Sequence, residues 1–318
     1  MDGRYRPNNL YLPSRNQSPP AHAQEASPRS NNPGYIFIAP YIRAEQEAFT
    51  KYYQPCQVGP NIYDSEGELV WSGACIFSNR NFYDFRLIRY SGGNSTALSA
   101  IVGPILMQPG SKGFGVILGS SLQAEHETRT TSDIQGSYMH EFNVLDGGST
   151  ALYIHAKYRN ANVTEVSNGN KTQWTIRDEG FQEVDLRDDT IRFRWWAMDH
   201  LPIEETFDRP PLRDAEHYDI YHINSLEKTA FGHYLVSMRH TNTIYLISGL
   251  DGHIVWRLGG RTSSFMHLDG LNFSAQHDAR ILSEHIHGTI MLSLFDNAGA
   301  AGRPKRFWTA KHLQRGAR

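Results

Sequence analysis

Residues 244–260 read IYLISGLDGHIVWRLGG. Runs of β-branched and aromatic residues flank Asp251-Gly252, and Asp-Gly supplies the positive φ that a tight turn needs. The stretch predicts a β-hairpin whose second strand carries Trp256. Residues 61–73, NIYDSEGELVWSG, repeat the plan around Ser-Glu-Gly and reach Trp71. Residues 181–199, FQEVDLRDDTIRFRWWAMD, repeat it around Asp188 and Asp189 and reach Trp195. Residues 115–130, GVILGSSLQAEHETRT, are a weaker copy. Each tryptophan brings a large apolar area suited to packing between stacked sheets.

A second element alternates with these hairpins: a strand, a Gly-rich or polar turn, then another apolar strand. It begins at NFYDFRLIRY (81–90) and recurs as MHEFNVLDGGSTALYIHAKY (139–158), HINSLEKTAFGHYLVSMRH (222–240) and QHDARILSEHIHGTIMLSLF (276–295). Strand pairs repeat with almost no helical periodicity, which predicts an all-β chain built as a radial array. A β-propeller of antiparallel blades fits best, because radial repetition protects strand edges. A β-sandwich would not repeat at this length. About four units fit between residues 34 and 260, and a fifth begins at 276–295. Residues 1–33, rich in Pro, Ser and Asn, read as a disordered leader. Residues 34–298 form the repeating domain, and the basic stretch 299–318 reads as an unstructured, solvated tail with no further strand pair.

Bulk composition narrows the function. Formal net charge is -2 over 318 residues, which gives no broad electrostatic footprint for nucleic acid or a membrane surface. No apolar run is long enough to span a bilayer as a helix, and the first twenty residues lack the hydrophobic centre of a secretory signal. Cys56 and Cys75 flank one hairpin and are open to two readings, a disulfide or a pair of free thiols. Sequons begin at Asn16, Asn94, Asn162, Asn170 and Asn272, a weak pointer towards secretion. No GxSxG, Walker loop or GxGxxG before a helix is present, so nucleotide binding and serine hydrolysis have no motif. The paired glycines of WRLGGRTSSF (256–265) read as a tight turn rather than an anion contact.

Histidine recurs where short strands begin: His140 in MHEF, His222 in YHINS and His277 in QHDAR. In a radial array, residues at matching positions of successive units converge although far apart in sequence. Arg239, in SMRH, lies one strand after His222 and can reach the same mouth. Several imidazoles and a guanidinium around one site suit an oxyanion such as sulfate or phosphate. A neutral imidazole can attack such a group while the others donate hydrogen bonds or move protons. Glu141 and Asp278 follow their histidines and are placed to orient the rings from behind. The structural alternative is that a repeat-wide hydrogen bond explains the histidines without chemistry. Metal-ligand spacing is confined to His285 and His287, so no metal is expected, and no cofactor is called for.

Taken in order, GPNIYDSEGELVWSG, MHEFNVL, YDIYHINSL, LVSMRHTNTIYLI, GHIVWRLGG, FSAQHDAR and LSLFDNA resemble the fungal arylsulfotransferase-like proteins, which are similar to bacterial aryl-sulfate sulfotransferases. The resemblance covers roughly residues 34–298. It implies a six-bladed propeller that moves a sulfuryl group from a phenolic sulfate to a phenol through a sulfohistidine, without a phosphoadenosine donor. By motif, it makes His277 the nucleophile. His222 and Arg239 would hold the sulfate oxygens, and His140 would complete that set or assist phenol proton transfer. Asn224 would support the substrate from behind. Relatives continue past LFDNA and many begin with a signal or anchor, so the resemblance implies that this chain carries an incomplete ring. Two other readings go with the same scaffold: a different step in fungal secondary metabolism, and a binding propeller without chemistry.

Overall fold

The computed structural model describes residues 34–41, 56, 58–92, 94–103, 113–128, 137–164, 171–210, 217–265, 273–285, 290–297 and 306–310. Among them the chain is all-β, arranged as five sheets whose strand order follows chain order. The first sheet holds β1 (Tyr35–Ile38), β2 (Asn61–Asp64) and β3 (Leu69–Ser72). The second holds β4 (Phe82–Tyr90), β5 (Ser95–Val102), β6 (Phe114–Leu118) and β7 (Ala124–Glu127). The third holds β8 (Ser137–Leu145), β9 (Thr150–Thr164), β10 (Lys171–Asp185) and β11 (Ile191–Trp196), with the short β12 (Tyr218–Asp219) added in parallel to β10. The fourth holds β13 (Ile223–Lys228), β14 (Tyr234–Met238), β15 (Thr243–Ile247) and β16 (Ile254–Gly259). The fifth holds β17 (His277–Glu284), β18 (Ile290–Asp296) and β19 (Arg306–Ala310). Apart from β12, all pairing is antiparallel.

The hairpin expected at 244–260 forms as β15 and β16, with Tyr245 opposite Arg257 and Leu246 opposite Trp256. Its turn places Gly252 at φ 77°. A Cβ there would stand 3.1 Å from the Trp195 ring, and Trp195 donates its indole N–H to the Gly252 carbonyl at 3.0 Å. A glycine therefore serves both the turn and the seat of a neighbouring sheet's tryptophan. The other hairpins form where the repeats place them, at β2–β3, β6–β7 and β10–β11.

Apolar layers fill the spaces between consecutive sheets. Ile62 meets Phe82, Val116 and Leu118 between the first and second. Ile101 and Ile117 meet Phe142 and Tyr153 between the second and third. Phe181 and Trp195 meet Tyr234 and Tyr245 between the third and fourth. Leu235, Ile244 and Trp256 meet Ala279, Leu292 and Leu294 between the fourth and fifth. Such burial is the dominant favourable term in folding, about 25 cal/mol per Å² of apolar surface removed from water.

The first strands of the last four sheets share a further device. Register shifts interrupt β4 between Tyr83 and Arg86, β8 between Ser137 and Phe142, β13 between Ile223 and Ser225, and β17 between His277 and Arg280. Asp84, His222 and Asp278 adopt positive φ of 52°, 55° and 53° at or beside these bulges. A bulge leaves backbone N–H groups without ladder partners, and the preceding sheet caps them. Asp84 accepts from the Phe142 N–H at 2.7 Å, and Glu141 accepts from Leu226 at 3.2 Å. Glu179 accepts from Ile223. Ser225 Oγ accepts from Ala279 at 3.0 Å, and Glu227 from Ile281 at 2.7 Å. An uncapped buried N–H costs about 1–3 kcal/mol, so the third, fourth and fifth sheets each depend on the one before.

Two sequence expectations are corrected here. The stretch 299–318, expected to be unstructured, contributes β19, which pairs with β18 from Leu292↔Ala310 to Asp296↔Arg306. Arg306-Phe-Trp-Thr-Ala310 is a short strand that the Gly- and basic-rich composition around it conceals. The open question about Cys56 and Cys75 is settled as a disulfide, with Cα atoms 4.7 Å apart. The leader expected at 1–33 lies outside the described residues. Of the paired glycines expected in a tight turn, Gly259 closes β16 and Gly260 begins a bend, with φ of 83° and 70°. Their neighbour Arg261 donates to the Thr206 carbonyl and lies over the Phe207 ring, rather than facing an anion.

Candidate functional site

His140 comes from β8 of the third sheet, His222 from the residue before β13 of the fourth, and His277 from the start of β17 of the fifth. Their ring centroids are 5.2 Å apart for His140–His222, 5.8 Å for His140–His277 and 6.5 Å for His222–His277. One ring nitrogen from each lies within 4.8 Å of the others. The convergence expected from the repeats is present. The expectation of strictly matching positions is corrected: His222 shares its positive φ with Asp278, so His277 stands one residue earlier in its strand.

Glu141 and Asp278, expected to orient the rings, do not. Glu141 is fully buried, receives Arg86 at 2.7 Å and Arg280 at 2.9 Å, and so ties the second, third and fifth sheets together. Asp278 holds the Nε of Arg280 at 2.7 Å. The ring of His222 is instead held by Asp219, whose Oδ2 lies 2.6 Å from Nδ1. Asp219 sits on β12, in register with Arg177 of β10, and Arg177 reaches Glu179 at 3.4 Å. His240 packs its ring 4.7 Å from that of His222, donates from Nδ1 to the Asp219 carbonyl at 2.7 Å and meets Asp208 through Nε2 at 3.2 Å. Asp219, His240, Arg177 and Glu179 escaped the sequence reading because none follows the repeat. A signal existed for two of them: Asp219 and His240 each stand within three residues of a residue that reading chose.

His277 Nδ1 lies 3.0 Å from the Ala275 carbonyl and 2.7 Å from the Asn297 amide nitrogen. These contacts imply opposite tautomers. The Asn297 amide nitrogen also donates to the Ala275 carbonyl at 3.0 Å, so the amide keeps this orientation, and the tautomer of His277 follows from which of the two partners Nδ1 serves. Asn224 donates to the Gln276 carbonyl at 2.7 Å, and Gln276 donates to Ser237, Met238 and Thr243. Asn224 thus braces the backbone that precedes His277. Arg239 begins the turn after β14 and is partly exposed. Its backbone N–H meets the His222 carbonyl at 2.9 Å, and its charge is felt at His277. His285 is described, but its expected partner His287 lies outside the described residues.

The three imidazoles differ in charge. Burial, then the neighbouring His222 and His277, hold His140 down at about 3. Burial also lowers His277, helped by His222 and Arg239 and opposed by the Ala275 carbonyl. Burial pushes His222 the same way, but the hydrogen bond and charge of Asp219, with Glu179 behind, outweigh it and raise the group. Asp219 is held low because the bond and charge of His222 overcome its own burial, while burial and the Asp219 charge raise Glu179. The result is two neutral rings and one that favours the imidazolium, beside two guanidiniums. That set can hold an oxyanion, offer a lone pair to it and exchange a proton.

Among the described residues, an all-β array of five sheets brings three imidazoles from three of them together. The chain belongs to the arylsulfotransferase (ASST) family, which it matches over residues 112–314. No curated protein matches it. Among solved structures it is similar to a protein of unknown function from Bacteroides caccae, at 10% identity over 78% of this chain and 68% of that chain, with a TM-score of 0.35. A likeness of that size carries no argument about fold or activity.

Proposed function

We propose that the chain transfers a sulfuryl group from a phenolic sulfate ester to a phenol, with His277 as the covalent acceptor. The convergence of three imidazoles from three sheets within 4.8 Å carries this reading. Arg239, His222 and His140 would face the sulfuryl oxygens, where fixed donors and positive charge stabilise the transferring group. In the tautomer that places Nδ1–H on the Ala275 carbonyl, the neutral His277 would attack sulfur through Nε2. The five sheets would be blades of the propeller that the family resemblance implies, with β4, β8, β13 and β17 innermost.

The test is direct. The full chain, given 4-nitrophenyl sulfate and a phenol acceptor, should release 4-nitrophenol and form the acceptor's sulfate. His277→Ala should do neither, and quenched wild type should carry a sulfuryl group on His277 by mass spectrometry. A wild type with neither turnover nor label ends the reading.

A further inference from the structure

The sulfuryl-transfer reading names His277 as the acceptor but leaves open what aims its ring, and the inference that follows rests on that reading. Ala275, two residues before His277, is buried and held at φ 50°, a left-handed conformation costly for a residue with a Cβ. Asp278, directly after His277, is held at φ 53°. We propose that Asn242 is a positioning residue for His277: it clamps Ala275 in its left-handed conformation and so sets the ring's place beside Arg239.

Four contacts carry this. The Ala275 N–H donates to Asn242 Oδ1 at 2.7 Å, and the Ala275 carbonyl accepts from Asn297 Nδ2 at 3.0 Å. Before them the Ser274 N–H donates to Asp296 Oδ1 at 3.0 Å, and after them the Gln276 carbonyl accepts from Asn224 at 2.7 Å. Each residue from Ser274 to Gln276 is thus tied by a side chain from elsewhere, and such over-determination is what keeps a strained backbone in place. Asn242 differs from the other three in what else it holds. It closes the turn between β14 and β15, its own N–H donating to the Arg239 carbonyl at 3.2 Å, and it takes φ 51°, which asparagine tolerates. One asparagine therefore joins the turn that carries Arg239, on the fourth sheet, to the segment that leads into β17 of the fifth. Asn242 lies in LVSMRHTNTIYLI, and Asp296 and Asn297 lie in LSLFDNA, so the clamp gives both stretches a physical role.

Without Oδ1 the Ala275 N–H is left buried without its partner, and the strained φ loses a restraint. The segment then relaxes and His277 leaves its line to sulfur. A misplacement of about 1 Å can cost about 100-fold in rate.

Variants of the full chain separate aim from folding. Asn242→Gly keeps the left-handed turn but removes Oδ1. With 4-nitrophenyl sulfate and a phenol acceptor, kcat should fall at least about 10-fold while KM changes by less than about 2-fold. Asn242→Asp, which keeps an acceptor at that position, should recover most of the loss. Ala275→Gly added to Asn242→Gly should recover about 3-fold or more, because glycine takes a positive φ without the Cβ penalty. A residue that served folding alone would lower the melting temperature and leave kcat of the folded variant unchanged. An unchanged kcat in Asn242→Gly, a loss borne by KM, or no recovery with Asn242→Asp or with Ala275→Gly overturns the proposal. If Asn242→Gly does not fold, Asn297→Ala opens the carbonyl side of the same clamp, and an unchanged kcat there overturns it equally. Label on His277 separates the failures: a wild type with neither turnover nor label ends the transfer reading and this inference with it. A labelled wild type whose variants keep full kcat ends this inference alone.

Discussion

Glu141 receives Arg86 at 2.7 Å and Arg280 at 2.9 Å, so one buried carboxylate joins strands from three sheets. It directly follows His140, and Arg280 stands three residues after His277. The network that holds the array together therefore also sets the separation of two candidate site residues. Asp84, at Arg86, belongs to the same cluster, where burial and the Glu141 charge push it up to about 7.

Removing that carboxylate should be costly. Glu141→Ala leaves two guanidiniums facing each other and frees the Leu226 N–H, which should lower unfolding stability by about 3 kcal/mol. Urea denaturation followed by tryptophan fluorescence measures it. A loss below about 1 kcal/mol would mean the pairs behave as exposed ones.

Arg239 offers a test of oxyanion binding. If its guanidinium holds sulfuryl oxygens, Arg239→Ala should reduce kcat/KM about 100-fold or more, and Arg239→Lys should recover little because the planar fork is lost. Circular dichroism of both variants should match wild type. Unchanged kinetics would remove Arg239 from the site.

The charge pattern predicts a pH window. His277 must be neutral to attack, and its value is lowered, so activity should rise with pH below the ordinary histidine value of 6.5. His222 holds the sulfuryl oxygens best as the imidazolium, and its value is raised, so activity should decline only above 6.5. The kcat/KM profile for phenyl sulfate should thus show a broad plateau around that value. A single limb centred on it would contradict the split.

The Cys56–Cys75 bridge closes a loop across a separation of 19 residues. By loop-closure entropy it should stabilise the fold by about 3 kcal/mol. Thermal melts with and without a reducing agent, together with peptide mapping of the bridge, check both the pairing and its effect. An unchanged melting temperature after verified reduction would show that the bridge contributes nothing.

The all-β class and the hairpins were legible because turn chemistry and strand alternation are local: Asp251-Gly252 specifies its turn from adjacent residues alone. The candidates His140, His222, His277 and Arg239 were legible as repeated features, and their bearing on sulfuryl chemistry came from resemblance. β19 was not legible, because Arg306–Ala310 becomes a strand only when β18 offers it an edge. The partners of the rings were not legible either. Glu141 and Asp278 were the nearest carboxylates in sequence, yet the bulges in β8 and β17 turn them to arginines, while Asp219 reaches His222 because β12 pairs with β10. Sequence by itself determined which backbone shapes and which reactive side chains are available. Tertiary structure alone decided which imidazole is charged, since that depends on burial and on carboxylates delivered by distant strands across a few ångströms.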